Sequence, residues 1–506
     1  MFVSNRFLKA AEIINIKFEE MIIPISIEQL SNLGNYKEDS TELTEWIKST
    51  GLKRIFELST ILEYPVFNER GFSKQIFNSW IGRQVLAELE NTITVPDDNE
   101  GTIVLNTIKD LLDFQEEVST LDILRSIPNK EIDLNVDNLL IIVALWKKDL
   151  SNQQNLVEKL NQIEKSDEDF YLNTEDDFIK VETIKKELFV SHRNEPLLLE
   201  LWKPINKSDK DLIIFMPGLG GKIADFHWIG YELSQRGWPV IFIDHAGSNF
   251  STLKEVIEGK NELPGARDIY INRLLDLQAV ITSHDSNQFD LGNNSYILMG
   301  HSLGALISFL HEGKFIDTNF ESICDDAFSD LALTNLSKLL QCQLTNVSLP
   351  VINNNSNLRA IVGFNSFGSL IWTQDKSSEI DVPILLIGGT FDLITPLIGE
   401  QFNLFLMNSE NSLNRFLVIE GASHFSPIRI EGQNFLEENK NDVFKINQTF
   451  IGADPFDVQN LSAEVIVQFL YGLEVNQGLP TISQEYKSEL DFHILDLEEV
   501  NKIFQN

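Results

Sequence analysis

Ser295-Tyr296-Ile297-Leu298-Met299-Gly300-His301-Ser302-Leu303-Gly304 is the stretch on which the fold turns. A short apolar run enters Gly-x-Ser-x-Gly and leaves through Ala305-Leu306-Ile307-Ser308-Phe309-Leu310, so a strand, a sharp turn and a helix are expected in succession. Such a turn holds its serine in a strained conformation with Oγ exposed, and the flanking glycines let the backbone bend that tightly. The bare pattern would arise by chance about one time in six in a chain this long. The strand-then-helix context gives it weight.

Outward from this turn, short strands alternate with helices from residue 179 onward, which implies an α/β class with a mainly parallel, doubly wound sheet. Strands are expected at Ile179 to Val190, Pro196 to Trp202, Asp211 to Met216, Pro239 to Ile243, Ser295 to Met299, Arg359 to Asn365, Pro383 to Ile387 and Arg415 to Ile419. The first two read as an antiparallel edge hairpin, and a helix between Asp268 and His284 leads into the strand before Ser302. Long insertions are expected at 246–266 and 319–358. After Ala453 the chain reads as an apolar helix at Ala463 to Leu473, then irregular acidic sequence.

Toward the N-terminus, residues 16–160 read as a mainly helical domain. Ser26-Ile27-Glu28-Gln29 is a capping-box signal, Thr41 to Ser49 a helix closed by Gly51, and Ile103 to Phe114 and Leu139 to Trp146 carry apolar residues near helical spacing. Residues 161–178 read as an acidic linker to the α/β domain at 179–506, and 1–15 as an irregular start or the remnant of a signal peptide.

Composition narrows the partners. The 43% hydrophobic and 10% aromatic content suits a globular protein with a filled core, and the net charge of -36 repels phosphate backbones and anionic lipid, which argues against nucleic-acid binding. No Cys/His cluster has metal-ligand spacing, so neither a metal nor a cofactor is expected. The longest apolar run, Leu139 to Trp146, falls far short of the ~20 residues of a spanning helix. Arg6 and Lys9 interrupt any apolar signal region, so the chain as it stands is expected to stay in the cytoplasm. Cys324 and Cys342 are expected to be buried thiols, with a disulfide as the lesser reading.

A serine hydroxyl needs a base, normally histidine, and the histidine needs an orienting carboxylate. On a sheet of this type the partners follow in chain order Ser, Asp or Glu, His, each at the carboxyl end of a later strand. Pro383 to Ile387 ends in Gly388-Gly389-Thr390-Phe391-Asp392, and Phe416 to Ile419 ends in Glu420-Gly421-Ala422-Ser423-His424. The preceding strand ends at Asn365 with no carboxylate close by. Ser302, Asp392 and His424 are therefore the candidate nucleophile, acid and base.

Donors for an oxyanion are expected from the backbone N–H of Leu303, after the serine, and of Leu219 in Pro217-Gly218-Leu219-Gly220-Gly221, a glycine-rich turn following Ile213 to Met216. That turn also resembles part of a dinucleotide fingerprint ending at Asp244, but Ile223 stands where the third glycine belongs. His245 and His301 read as side chains shaping the pocket, and some of Phe226, Trp228, Phe364, Phe367, Trp372 and Phe425 as lining for an acyl group.

With these residues in place, the chain resembles bacterial α/β-hydrolases described as predicted dienelactone hydrolases, relatives of the platelet-activating-factor acetylhydrolases, that carry an N-terminal helical domain of unknown function. The resemblance runs through Ile22 to Leu30, Pro217 to Gly221 with Asp225-Phe226, Ile243-Asp244-His245-Ala246-Gly247, Arg273-Leu274-Leu275-Asp276, the Ser302 turn, Gly388 to Pro396 and Ala422-Ser423-His424-Phe425-Ser426. It implies an α/β-hydrolase fold, a triad at Ser302, Asp392 and His424, and a small-molecule ester substrate, short-acyl or lipid. Dienelactone hydrolases proper use cysteine where this chain has Ser302. Family members often begin with a signal peptide, and Ala10-Ala11-Glu12 looks like the end of one; an upstream start would imply export to the periplasm and a Cys324–Cys342 bridge. Other classes that fit are an acyltransferase and a non-catalytic interaction protein with a vestigial site.

Overall fold

The computed structural model describes residues 11–18, 21–32, 62, 65–68, 91–96, 98, 102–115, 117–163, 178–206, 208–257, 260, 264–313, 319–329, 336–345, 347–350, 357–372, 380–406, 411–428, 453–487 and 490–505. These fall into two compact units, Met1–Asp149 with Val256–Lys260, and Leu150–Glu255 with Asn261–Asn506.

In the first unit, β1 (Ile13–Phe18) pairs antiparallel with β2 (Met21–Ser26) and parallel with a later strand, Glu131–Asn135, which also holds the short strand Ile93–Thr94. A second, two-stranded sheet joins Pro65–Asn68 to Glu117–Ser119. In chain order these four are β3 (Pro65–Asn68), β4 (Ile93–Thr94), β5 (Glu117–Ser119) and β6 (Glu131–Asn135). The helices are α1 (Ile27–Asn32), α2 (Thr102–Phe114), α3 (Thr120–Ser126) and α4 (Val136–Leu160), the residues of α4 from Leu150 onward belonging to the second unit. The capping box at Ser26 is present: its Oγ accepts from Gln29 N at 3.1 Å, and Gln29 Oε1 accepts from Ser26 N at 2.9 Å. Strands therefore accompany the expected helices; Ile14, Ile16, Ile25, Ile132 and Leu134 bury the sheet against Ile108, Leu121 and Leu124 of the helices. The expected helix at Thr41 to Ser49 and most of the expected linker lie outside the described residues.

The second unit is built on a ten-stranded sheet. Its strands are β7 (Val181–Leu188), β8 (Leu197–Pro204), β9 (Leu212–Met216), β10 (Val240–Asp244), β11 (Tyr296–His301), β12 (Leu358–Phe364), β13 (Ile384–Gly389), β14 (Arg415–Ile419), β15 (Ile482–Tyr486) and β16 (Leu490–Leu495). They lie in the order β15-β16-β14-β13-β12-β11-β9-β10-β8-β7. From β10 to β14 neighbours run parallel, while β7, β8, β15 and β16 add antiparallel pairs at the two edges. All eight strands expected from residue 179 onward are present, including the edge hairpin. β15 and β16 replace what the sequence suggested was irregular tail.

The central strands are apolar on both faces, as a parallel sheet covered on both sides requires. Ile213, Phe215, Phe242, Ile297, Met299, Val362, Phe364, Leu385 and Leu417 share one core with α5 (His227–Ser234) and a helix at Pro455–Val475. Each such Phe or Ile contributes about 1.5–3 kcal/mol by leaving water. The alternate residues face the opposite side, where Leu386 and, from the helix that follows Ser302, Ala305 and Phe309 lie around Gly363. The remaining α-helices among the described residues are α6 (Phe250–Ile257), α7 (Ala266–Asp285), α8 (Leu303–Glu312), α9 (Phe320–Ser329), α10 (Leu336–Cys342), α11 (Phe402–Leu406), α12 (Pro455–Val475) and α13 (Leu497–Gln505). α9 and α10 form the described part of the second insertion and are joined by a Cys324–Cys342 disulfide with Cα atoms 5.6 Å apart. The two cysteines are thus bridged rather than buried as free thiols.

Candidate functional site

Chain order and sheet order diverge between β9 and β11: β10 lies outward of β9 on one side, and β11 to β14 run outward on the other. Crevices at the carboxyl ends of strands beside such a switch point are where open α/β sheets bind ligands. Ser302 follows β11, the Pro217–Gly221 turn follows β9, Asn365 follows β12, Asp392 lies beyond β13 and His424 beyond β14. Every candidate residue therefore stands at the same end of the sheet.

Ser302 has φ +52° and ψ -120°, a conformation that a side-chain-bearing residue adopts only under constraint. The constraint is visible. Its N–H donates to Phe364 O at 2.9 Å, and its carbonyl accepts from Leu306 N at 3.0 Å. A Cβ on Gly300 would lie 2.4 Å from the Gly304 carbonyl carbon, and one on Gly304 would lie 1.9 Å from Met216 O, so both glycines are sterically required. α8 opens directly after the serine, placing the Leu303 N–H at the positive end of a helix. Neither Leu303 N nor Leu219 N has a protein acceptor among the described residues.

Asp392 and His424 are in direct contact, with Nδ1 3.0 Å from Oδ2 and 3.1 Å from Oδ1. The carboxylate also accepts from Ile394 N (2.9 Å), Thr395 N (2.8 Å), Thr395 Oγ1 (2.5 Å), Asn365 Nδ2 (2.7 Å) and Gln401 Nε2 (3.2 Å). Burial alone would raise its pKa, but the charge and hydrogen bond of His424, together with those from Thr395, outweigh it and hold the carboxyl below its ordinary range. An ionised carboxylate only accepts, so Nδ1, which faces it, carries a proton, and Nε2 is the nitrogen directed away from Asp392.

The loops that carry these residues are laced together. Phe391 N donates to Ala422 O at 2.9 Å, and Gly421 N to Thr390 Oγ1 at 2.9 Å. His301, beside the serine, donates from Nε2 to His424 O at 2.9 Å, and its ring centroid lies 4.9 Å from that of His424. Burial, then the nearby His424, lowers His301 to about 3, so it stays neutral beside His424. His301 thus ties the serine turn to the histidine loop.

Gly218 closes the site on the other side: a Cβ there would lie 3.1 Å from Ser302 Cβ and 3.0 Å from His301 Nδ1. Of the aromatics considered for an acyl site, Phe226, Trp228, Phe364, Phe367 and Trp372 are buried in the core. Phe425, beside His424, is exposed, as are Phe391 and Leu393 on either side of Asp392. Asp244 binds Asn249 Nδ2 at 2.7 Å. His245 is buried and bonded through Nδ1 to Asp276 at 2.8 Å. Among the described residues, no group of three or more His, Cys, Asp or Glu side chains is placed to hold a metal ion, and no helix is long and apolar enough to cross a membrane.

Sequence reasoning passed over Asn365, Thr395 and Gln401 as partners of Asp392. Asn365 stands where an acid one strand earlier would sit; an Asn at a strand end was the available signal, and it takes the left-handed conformation, φ +47°, that Asn tolerates. Thr395 is reached by the tight turn after Asp392, a signal visible in Asp-x-x-Thr.

A family model described as alpha/beta hydrolase of unknown function (DUF1400) matches residues 10–135. No curated protein matches the chain. The match lies N-terminal to the ten-stranded sheet and agrees with what that sheet shows: the fold is that of an α/β hydrolase.

Proposed function

We propose that this hydrolase cleaves carboxylic esters through Ser302, His424 and Asp392. The observation that carries the reading is the ionised Asp392 bonded to His424 Nδ1, on a loop that His301 ties to the strained Ser302 turn. Ser302 Oγ attacks the ester carbonyl while its proton passes to His424 Nε2. The oxyanion is received by the N–H groups of Leu303 and Leu219, and the alcohol leaves with the proton from His424. An acyl-Ser302 ester remains; water, deprotonated by His424, attacks it and releases the carboxylic acid. Asp392 holds the imidazole in its tautomer and offsets the imidazolium charge.

The exposed Phe391, Leu393 and Phe425 around the pair favour an ester with an apolar acyl chain, in line with the resemblance to the acetylhydrolase relatives of dienelactone hydrolases. The Cys324–Cys342 bridge favours an oxidising compartment. Hydrolysis of p-nitrophenyl esters from acetate to longer chains, with glycerophospholipids alongside, tests the reading. Turnover whose kcat/KM depends on acyl length supports it; no turnover of any ester by the folded protein overturns it.

A further inference from the structure

The geometry points to Arg273 as a positioning residue that aims the Leu219 N–H at the oxyanion, an inference that rests on the esterase reading above. Arg273 lies on α7, is almost fully buried, and spends its fork on the turn after β9. Nη1 donates to Pro217 O at 2.6 Å and Nη2 to Gly218 O at 3.0 Å, while Nε donates to Ser248 Oγ at 2.8 Å. Two successive carbonyls are thereby drawn to one guanidinium. The peptide bonds are trans, so the N–H following each carbonyl points the opposite way. Holding Gly218 O toward Arg273 therefore turns the Leu219 N–H away from it, where no protein acceptor takes it among the described residues. Gly218 itself lies against Ser302. Gly220 is fixed as well, its N–H donating to Ser248 O at 2.8 Å.

A buried guanidinium needs support. Asp276, one helical turn on, is fully buried and accepts Arg193 Nε and Nη2, both at 2.6 Å, His192 Nε2 at 2.8 Å and His245 Nδ1 at 2.8 Å. Burial opposes its ionisation, but the bonds from His192, His245 and Arg193 outweigh burial and keep it a carboxylate. Burial lowers Arg273 to about 9, so it remains charged at neutral pH beside that carboxylate. Arg273, with Asp276 and His245 behind it, thus acts through backbone orientation and not by touching substrate.

Arg273→Lys keeps the charge but cannot span both carbonyls and Ser248 from one ammonium. Ser248→Ala removes the Nε anchor, together with the hydrogen bond that Ser248 Oγ donates to His245 O at 3.2 Å, and is small enough to leave the fold intact. Both are assayed against native protein for p-nitrophenyl acetate kcat and KM, for inhibition by phenylboronic acid, which forms a tetrahedral adduct on the serine, and for thermal midpoint. Loss of one oxyanion donor typically costs on the order of 10²–10³ in turnover, so kcat and boronate affinity are expected to fall together by about 10²-fold in Arg273→Lys and about 3- to 10-fold in Ser248→Ala, with KM nearly unmoved. A folded Arg273→Lys with native kcat overturns the inference, as does a fall in kcat that boronate affinity does not share. If Arg273→Lys fails to fold, Ser248→Ala decides on the same criteria. A native protein that turns over no ester overturns the esterase reading itself, which the native arm reports separately.

Discussion

Replacing Asp392 by Asn changes one atom's hydrogen-bonding sense and little volume, and the structure says where the consequences fall. Oδ1 accepts two backbone N–H groups, from Ile394 and Thr395, that cannot reverse their direction. Oδ2 accepts Asn365 Nδ2, Gln401 Nε2 and the Thr395 hydroxyl, of which the hydroxyl can rotate. The Asn carbonyl is therefore expected at Oδ1 and its NH2 at Oδ2, facing His424 Nδ1 across 3.0 Å. That donor draws the imidazole into the tautomer with its proton on Nε2, where it cannot accept the proton of Ser302. The equivalent acid-to-amide change in a serine-protease triad costs about 10⁴ in kcat, and a similar loss is expected here with KM little changed. The displaced donors of Asn365 and Gln401 cost about 1–3 kcal/mol each, so unfolding in urea should show a loss of about 2–6 kcal/mol. Stopped-flow or steady-state hydrolysis of p-nitrophenyl acetate measures the first and urea titration the second. A folded Asp392→Asn protein with kcat within about tenfold of native would refute the tautomer argument.

Other outcomes follow from the same contacts. Burial lowers His245 from 6.5 to about 4 and His301 from 6.5 to about 3, so the unfolded chain binds protons below pH 6.5 that the fold refuses, and stability declines as pH falls through that window. At pH 5 the loss is about 2 kcal/mol apiece relative to pH 7, and His301→Gln should flatten the slope; a stability unchanged between pH 7 and 5 would contradict the burial of neutral rings. Gly304→Ala must push its Cβ off Met216 O, at 1.9 Å, and should cost at least about 3 kcal/mol in urea unfolding; a native midpoint would show that the turn is not so tightly set. Serines at Cys324 and Cys342, 18 residues apart, remove about 3 kcal/mol of loop constraint, read as faster hydrogen exchange across Leu336–Cys342, and unchanged exchange would show that the bridge does not hold α10.

Much of this was legible in the chain because the parallel strands are continuous apolar runs bounded by turns, and because the candidate residues lie where those runs end. Ser302, Asp392 and His424 stand out in the sequence by their position at strand ends; the structure puts all three at one end of the sheet and bonds Asp392 to His424. The edge strands β15 and β16 escaped notice because Ser483, Gln484 and His493 are buried there, so polarity no longer reports the buried face. The N-terminal strands are not picked out from the irregular start at 1–15 and the mainly helical 16–160 for a different reason: Ile13–Phe18 and Met21–Ser26 are short, and their apolar residues fit either period. Cys324 and Cys342 were misread because spacing cannot say whether two helices fold back on one another, as α9 and α10 do. The support behind the site was hidden most completely. Asp276 gathers His192, Arg193 and His245 from positions 31 to 84 residues away, a convergence that only the folded sheet creates.

The central claim is that Ser302 is a nucleophile activated by His424, and covalent labelling addresses it most directly. A fluorophosphonate incubated with native protein, followed by mass spectrometry of its peptides, should place a single phosphonyl group on Ser302, with labelling abolished in Ser302→Ala and strongly slowed in His424→Ala. Native protein that stays unlabelled while folded, or a Ser302→Ala variant labelled at the native rate, would contradict the account.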